Sequence, residues 1–433
     1  MSKSSDWMGY VSGASGVSAY SGSSGVSGGA SGTSGFGLSG VSGTSGYSGS
    51  GDAATVAEVL AATEAAKYVS PLTLNQYQGT VPHGDDSSID SGKLAWNAFA
   101  KMINNGINAG STFSSPIVMT YSLVNTTFTG SYIGGVLDAS GNIHFIPDLA
   151  TRGQQVGVNG TVSTYSLAYT TSNGTARGGV LAPDGTIYLV PYYSTVGQKI
   201  SSSGVVSTFS LAYTTSSAYA GGALAIDGSV HFVPYRSGIG QKIVNGTPST
   251  YSLAITYDWG YRGSVLAPNG DIHFIPEDAS VGQKINPAGT ASTYSLAYTQ
   301  STAYHGGVLS PNGEIHFVPS TSPYGQKIGV DGNASTYSLV YTNSSGAYSG
   351  GVLAPDGYIH FVPAWATVGQ KISPSGAVST YSLAYTTSGA FKGGTLNERG
   401  ELHFVKDGGT IGQKIVFPRL SRGVCCSSFL NKY

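Results

Sequence analysis

A single unit of about 43 residues recurs seven times along most of this chain, and no other feature constrains the fold as strongly. Its aromatic marker falls at Tyr121, Tyr165, Phe209, Tyr251, Tyr294, Tyr337 and Tyr381, in steps of 44, 44, 42, 43, 43 and 44 residues. A period of this length marks a repeat architecture in which each copy is one supersecondary unit that buries its apolar face only against its neighbours. Each copy holds four short runs rich in Tyr, Val, Ile and Phe, namely TYSLAYT, GGVLAP, IHFVP and GQKI, separated by Gly, Pro, Asn, Asp and Ser. That is the pattern of strands punctuated by turns. Between the second and third runs lie Pro183-Asp184-Gly185 and its relatives, which supply the positive-φ positions of a tight hairpin.

Four antiparallel strands in about 43 residues match a propeller blade, and seven copies fall within the usual blade number. The expected fold is therefore mainly β, a seven-bladed β-propeller over residues 112–416. A β-solenoid is the alternative, although its coils need shorter periods. The double glycines, from Gly134-Gly135 to Gly393-Gly394, suit the strand nearest the axis, where backbones approach closely. TYSL is then outermost. The chain opens on an outer strand and ends on three inner ones, so residues 120–124 are expected to pair with 412–416 and close the ring.

Only 9% of the 433 residues are charged and the net charge is -1, which leaves no electrostatic footprint for nucleic acid or an anionic membrane. No run of about 18 apolar residues predicts membrane insertion, and Met1 to Met8 has no apolar core of the kind a secretory signal needs. Synthesis in a cytoplasm without a signal peptide, or a signal removed from the sequence, is expected. The two cysteines, Cys425 and Cys426, form no disulfide framework and read as small buried residues rather than a redox pair. No metal-ligand spacing occurs, and no cofactor is expected.

From Gly13 to Gly51 the sequence is nearly pure Gly-x-Ser. Glycine at every third position is the requirement of a collagen-like triple helix, while proline, which would pre-set its conformation, is absent. Residues 1–51 read as a shaft or anchor, with a flexible tether as the alternative. Residues 52–111 read as a helical connector, with one helix from Asp52 to Tyr68 and a second from about Lys93 to Asn105. The first has too small an apolar side to persist alone, which points to a partner chain. The second either caps the first blade or meets another subunit. A parallel homotrimer through residues 1–110 follows. Residues 417–433 are off-pattern and read as a tail that packs on a blade or between subunits.

The residues that repeat are read as structural. His144, His231, His273, His316, His360 and His403 share one place in IHFVP, which Tyr188 fills in another copy. They are read as rings with a hydrogen-bonding tip wedged between blades. The Asp and Asn of the hairpins are turn chemistry. Departures from the repeat carry what information there is about ligands, and few of them are acidic. In a four-stranded meander the TYSL-to-GG and IHFVP-to-GQKI loops emerge on one face, and there the sequence varies. Arg177, Tyr193, Tyr235, Arg236, Asp258, Trp259, Arg262, His305, Trp365 and Lys392 are the candidate ligand-binding residues, of types suited to stacking on sugar rings or on a flat protein partner. The recurrent aromatic at Tyr132, Tyr219, Tyr261, Tyr304, Tyr348 and Phe391 either joins that surface or packs over the central channel. No catalytic arrangement stands out.

Two stretches resemble known families. Ala61-Ala-Thr-Glu-Ala-Ala-Lys-Tyr-Val-Ser-Pro-Leu-Thr-Leu74 resembles a short repeat of bacteriophage tail-fibre proteins, and the Gly-x-Ser triplets resemble the collagen-like shafts of phage fibres. The "YxGGVLAPDGxIHFVP" segment is similar to Kelch-like propeller repeats. These resemblances imply a virion fibre protein that trimerises through its N-terminal region, meets other virion proteins there, and touches a host-surface glycan or protein with its propeller. A carbohydrate-binding lectin or bacterial surface adhesin is the alternative, and a glycan-cleaving propeller enzyme a more distant third.

Overall fold

The computed structural model describes residues 116–124, 130–407 and 410–418. The Gly-x-Ser segment, both expected helices, the trimer contacts and Cys425 and Cys426 lie outside them. Within the described residues the chain forms seven four-stranded antiparallel sheets, one per repeat, as the period predicts. In the first blade Tyr132–Leu137, Ile143–Pro147, Arg152–Val156 and Val162–Ser166 follow one another as a meander. The fourth strand is shorter than the TYSLAYT run suggests. It ends at Ser166, and the chain leaves the sheet because Gln198 of the next blade takes the amides of Ala168 and Tyr169 on its Oε1, at 2.8 and 2.9 Å. The same glutamine caps each preceding blade, for example Gln283 with Ala254 and Ile255.

The seventh blade joins both ends of the repeat region. Strand Ile117–Ser122 pairs antiparallel with Ile411–Val416, with Ile117 opposite Val416, Tyr121 opposite Gly412 and Ser122 opposite Ile411. Closure occurs as expected, but the pairing runs over 117–122 rather than 120–124. Leu123 continues it only through its amide, 2.9 Å from the Thr410 carbonyl, and the Val124 amide turns to the Gln154 side chain.

The double-glycine strands surround the axis. The first glycine of each pair, and Gly263 of the Gly263-Ser264 pair, has positive φ, from 80° at Gly263 to 121° at Gly178, and sits at a bulge, for example between Tyr261 and Ser264 or between Ala176 and Gly179. A Cβ on Gly221 would come 2.7 Å from the Cα of Gly263, and one on Gly393 would come 2.7 Å from the Cα of Gly134. Five of the seven steps around the axis would bring a Cβ within 3.0 Å of the next glycine's backbone; the steps from Gly306 to Gly350 and from Gly134 to Gly178 are wider. At those five tight steps no side chain fits.

Between blades the core is built from two layers. The His face of one blade meets the Phe face of the next: Val180, Tyr188 and Val190 pack with Tyr219, Val230, Phe232 and Ile243. The repeated histidines are thus buried between blades, as expected. His144 and His316 place Nδ1 3.1 and 3.2 Å from the hydroxyls of Tyr165 and Tyr337. The recurrent aromatic before the double glycine neither lines the loop face nor covers the channel. Tyr219, Tyr304, Tyr348 and Phe391 are fully buried. The ring of Tyr132 meets Phe145 edge-on, and its hydroxyl donates to the Arg152 carbonyl at 2.9 Å. Its length spans the blade interior, leaving the polar tip to find a backbone acceptor. At the start of the tail, Phe417 is buried against the ring of His360 in the sixth blade.

Candidate functional site

One face of the propeller is stitched from blade to blade by backbone alone. The carbonyl of the residue after each second strand accepts the amide just before the next blade. The bonds run from Thr175 to Asp148, Ala218 to Tyr192, Gly260 to Tyr235, Ala303 to Glu277, Ala347 to Ser320, Ala390 to Ala364 and Ser131 to Asp407, at 2.7–3.2 Å. The last of these crosses the seam. These carbonyl positions and the residues just ahead of the axial glycines form one mouth of the ring, and here the repeats differ most.

Three cations occupy that inner position, each next to a buried carboxylate. Arg177 Nε lies 3.6 Å from Asp148, Arg262 Nη1 3.4 Å from Glu277, and Lys392 Nζ 3.2 Å from Asp407. His305 adds its Nε2 3.1 Å from Glu277 and 3.3 Å from Arg262. The acids are 6%, 4% and 1% exposed, whereas the cationic side chains retain 18–31% of theirs. The layering is therefore cation outside and carboxylate behind. Burial pushes the Asp148 carboxyl up despite the pull of Arg177 and Lys392. Burial also acts to raise Glu277, but Arg262 and His305 outweigh it and hold its pKa below the usual carboxylate range. Burial, reinforced by Arg262, lowers the His305 imidazole, so it is neutral at neutral pH. All four side chains were candidates from the sequence. Asp148 and Asp407 were not, because each stands just after a second strand, at a position where other repeats carry Tyr, Ser or Ala.

Beside the charged group runs an aromatic arc. The Arg177 guanidinium lies 3.7 Å from the ring centroid of Tyr192, Tyr192 meets Tyr193 and Tyr235, and Tyr235 stacks on Trp259 at 6.0 Å and 21°. Tyr235 is only 4% exposed and supports the others, while Trp259 leaves nearly half its surface open. Arg236 and Asp258 form a solvent-facing pair at 3.6 Å next to it. Trp365 stands on the sixth blade against the turns of Gly346 and Gly389, with 46% of its surface exposed.

Trp259 has φ 64°, in the left-handed region. The equivalent turn position, two residues before each inner strand, has positive φ in all seven blades, at Gly130, Gly174, Ser217, Trp259, Thr302, Gly346 and Gly389. Four blades meet that demand with glycine. A tryptophan there costs roughly 1–2 kcal/mol of backbone strain.

Neither a protein-family profile nor any curated protein sequence matches the chain. Solved structures match the fold. A streptogramin B lyase is 16% identical with a TM-score of 0.59, over 69% of this chain and 98% of that one. Virginiamycin B lyase from Staphylococcus aureus is 13% identical with a TM-score of 0.60, over 70% of this chain and all of that one. Kuenenia stuttgartiensis hydrazine synthase is 12% identical with a TM-score of 0.51, over 69% and 97%. At such identities the likeness is one of fold, and a propeller does not by itself indicate an enzyme. What these neighbours share with the chain is the seven-bladed β-propeller.

Proposed function

We propose that the propeller is a recognition head and that its varied mouth face binds a surface ligand, most concretely a host-cell glycan met by a bacteriophage fibre. The observation that carries the reading is Trp259. A bulky ring is held at a strained turn position that four of the seven blades fill with glycine and two with the small Ser217 and Thr302, one face stacked on Tyr235 and the other open. The stacking on Tyr235 offsets that strain, and what it leaves is a fixed aromatic ring with nearly half its surface open, which suits a binding role. The assignment to a virion rests on the resemblances of residues 61–74 and of the Gly-x-Ser triplets, and with it go the homotrimer through residues 1–110 and attachment to other virion proteins. Binding without catalysis is part of the proposal, although two structural neighbours are lyases. Incubating the protein with host-surface polysaccharide should give retention on the polymer and no release of reducing ends. Cleavage that disappears in Glu277→Gln would replace this reading with an enzymatic one, and absence of retention on any host surface would remove it.

A further inference from the structure

Resting on that reading, we infer that the axial mouth takes an anionic sugar unit, its charged group held by Arg177, Arg262 and Lys392 and its ring against Trp259. The six charged side chains sum to zero, three cations against three carboxylates, so net charge does not decide the ligand. Orientation does. A guanidinium has five N–H donors and an ammonium three. Among the described residues Arg262 uses Nη1 alone, toward Glu277 and His305. Arg177 Nε is itself buried and faces Asp148 at 3.6 Å, too long for a hydrogen bond, while its two Nη groups make none among the described residues. Lys392 is directed to Asp407 only. Unspent donors therefore belong to the partly exposed groups.

The acceptors face the other way. Asp148, Glu277 and Asp407 are more than nine-tenths buried, and the oxygens they leave unpaired are closed to solvent. A ligand arriving at the mouth meets donors and few acceptors, so it must bring acceptors of its own, and a carboxylate or phosphate does this best against guanidinium groups. The buried acids fix the cations in place, which reduces the ordering cost of binding. Beneath them the glycine ring brings the backbones together, because Gly178, Gly263, Gly306 and Gly393 directly follow Arg177, Arg262, His305 and Lys392. The site is a shallow seat on that ring. Trp259 supplies the apolar face that a pyranose ring stacks on and a bare anion does not need.

The test is titration calorimetry of the full chain with D-glucuronate, D-glucose 6-phosphate and D-glucose, alongside adhesion to host cells. Glucuronate or the phosphate should bind at least about tenfold more tightly than glucose. Arg177→Gln and Lys392→Gln should each weaken that binding by about ten- to a hundredfold. Tighter binding of the phosphate would identify a phosphorylated polymer as the source of the anion, and tighter glucuronate a uronic acid; both support the inference. Either substitution leaves a buried acid, so thermal unfolding of each variant is measured too, and for one that does not fold the salt dependence of wild-type binding decides: salt-insensitive binding overturns the inference. Equal binding of glucose and glucuronate, or host adhesion without binding of any of the three sugars, also overturns it while leaving the recognition head intact. Loss of both sugar binding and adhesion overturns the two together.

Discussion

The ring of Tyr121 lies across the backbone of Gly412, joining a strand near the start of the propeller to the last one. Every blade has this relationship, from Tyr165 on Gly153 to Tyr381 on Gly369, and a Cβ on any of these glycines would overlap the ring. At the seam it carries extra weight, since the Tyr121 hydroxyl also lies 3.2 Å from Nδ1 of His403, 282 positions later, and so one residue ties two strands of the seventh blade.

Gly412→Ala should therefore displace Tyr121 and cost roughly 1–3 kcal/mol, as overpacking does. Deleting residues 116–124 should go further and lower the unfolding temperature of the whole ring. A melting curve unchanged from that of the intact chain would show that the seam contributes nothing.

Acid should loosen the space between blades. Burial lowers the pKa of His231, His273 and His316 to about 4 in the fold. Unfolded, they titrate near about 6.5. The stability they contribute is complete above the unfolded value and is lost as pH falls from there toward about 4, by up to about 3 kcal/mol for each histidine. Denaturant unfolding at pH 7 and at pH 4.5 measures it, and His273→Phe should flatten the slope.

Trp259→Gly is expected to leave stability within about 1 kcal/mol of the parent, because relief of backbone strain offsets the lost stacking on Tyr235. Adhesion to the host surface should fall sharply in the same variant. If adhesion is unaffected while the protein remains folded, the tryptophan has no part in recognition.

Gln283→Ala removes the acceptor for the Ala254 and Ile255 amides and should destabilise the ring by on the order of 1–3 kcal/mol. Gln283→Met, which keeps the volume and removes the acceptor, separates the lost acceptor from lost volume. Hydrogen exchange at Ala254 and Ile255 reads the change directly.

Light scattering on the full chain and on residues 112–433 checks the assembly expectation. A trimer that becomes a monomer on truncation supports a shaft-borne fibre. Monomers in both, on intact particles as well as in solution, would rule it out.

The fold was legible because the period, the hairpin turns and the order of strands all repeat, so seven copies average out local ambiguity. The seam was legible for the same reason: an unpaired outer strand at one end matched a missing one at the other. The roles of Gly153 and Gln198 were hidden, since they depend on the ring of Tyr165 across the sheet and on the amides of Ala168 and Tyr169 in the preceding blade. Tyr132 and its equivalents misled because position in a loop-flanking pair says nothing about which way a side chain turns at a bulge. The charged mouth was half visible. Arg177, Arg262, His305 and Lys392 stand out as departures, but Asp148 gains meaning only when the next blade sets Arg177 before it, and Glu277 and Asp407 only when the first two strands of one blade set Arg262 and Lys392 beside them.

The seven backbone bonds that link blade to blade make no demand on the side chain of the residue whose carbonyl they use. Within this one chain that residue is Asp148, Tyr192, Tyr235, Glu277, Ser320, Ala364 and Asp407, five amino-acid types on the same scaffold. Closure of the ring and chemistry of the mouth are thus encoded by different atoms of the same residues. A lineage can rewrite what the mouth recognises, one blade at a time, without renegotiating how the ring holds together.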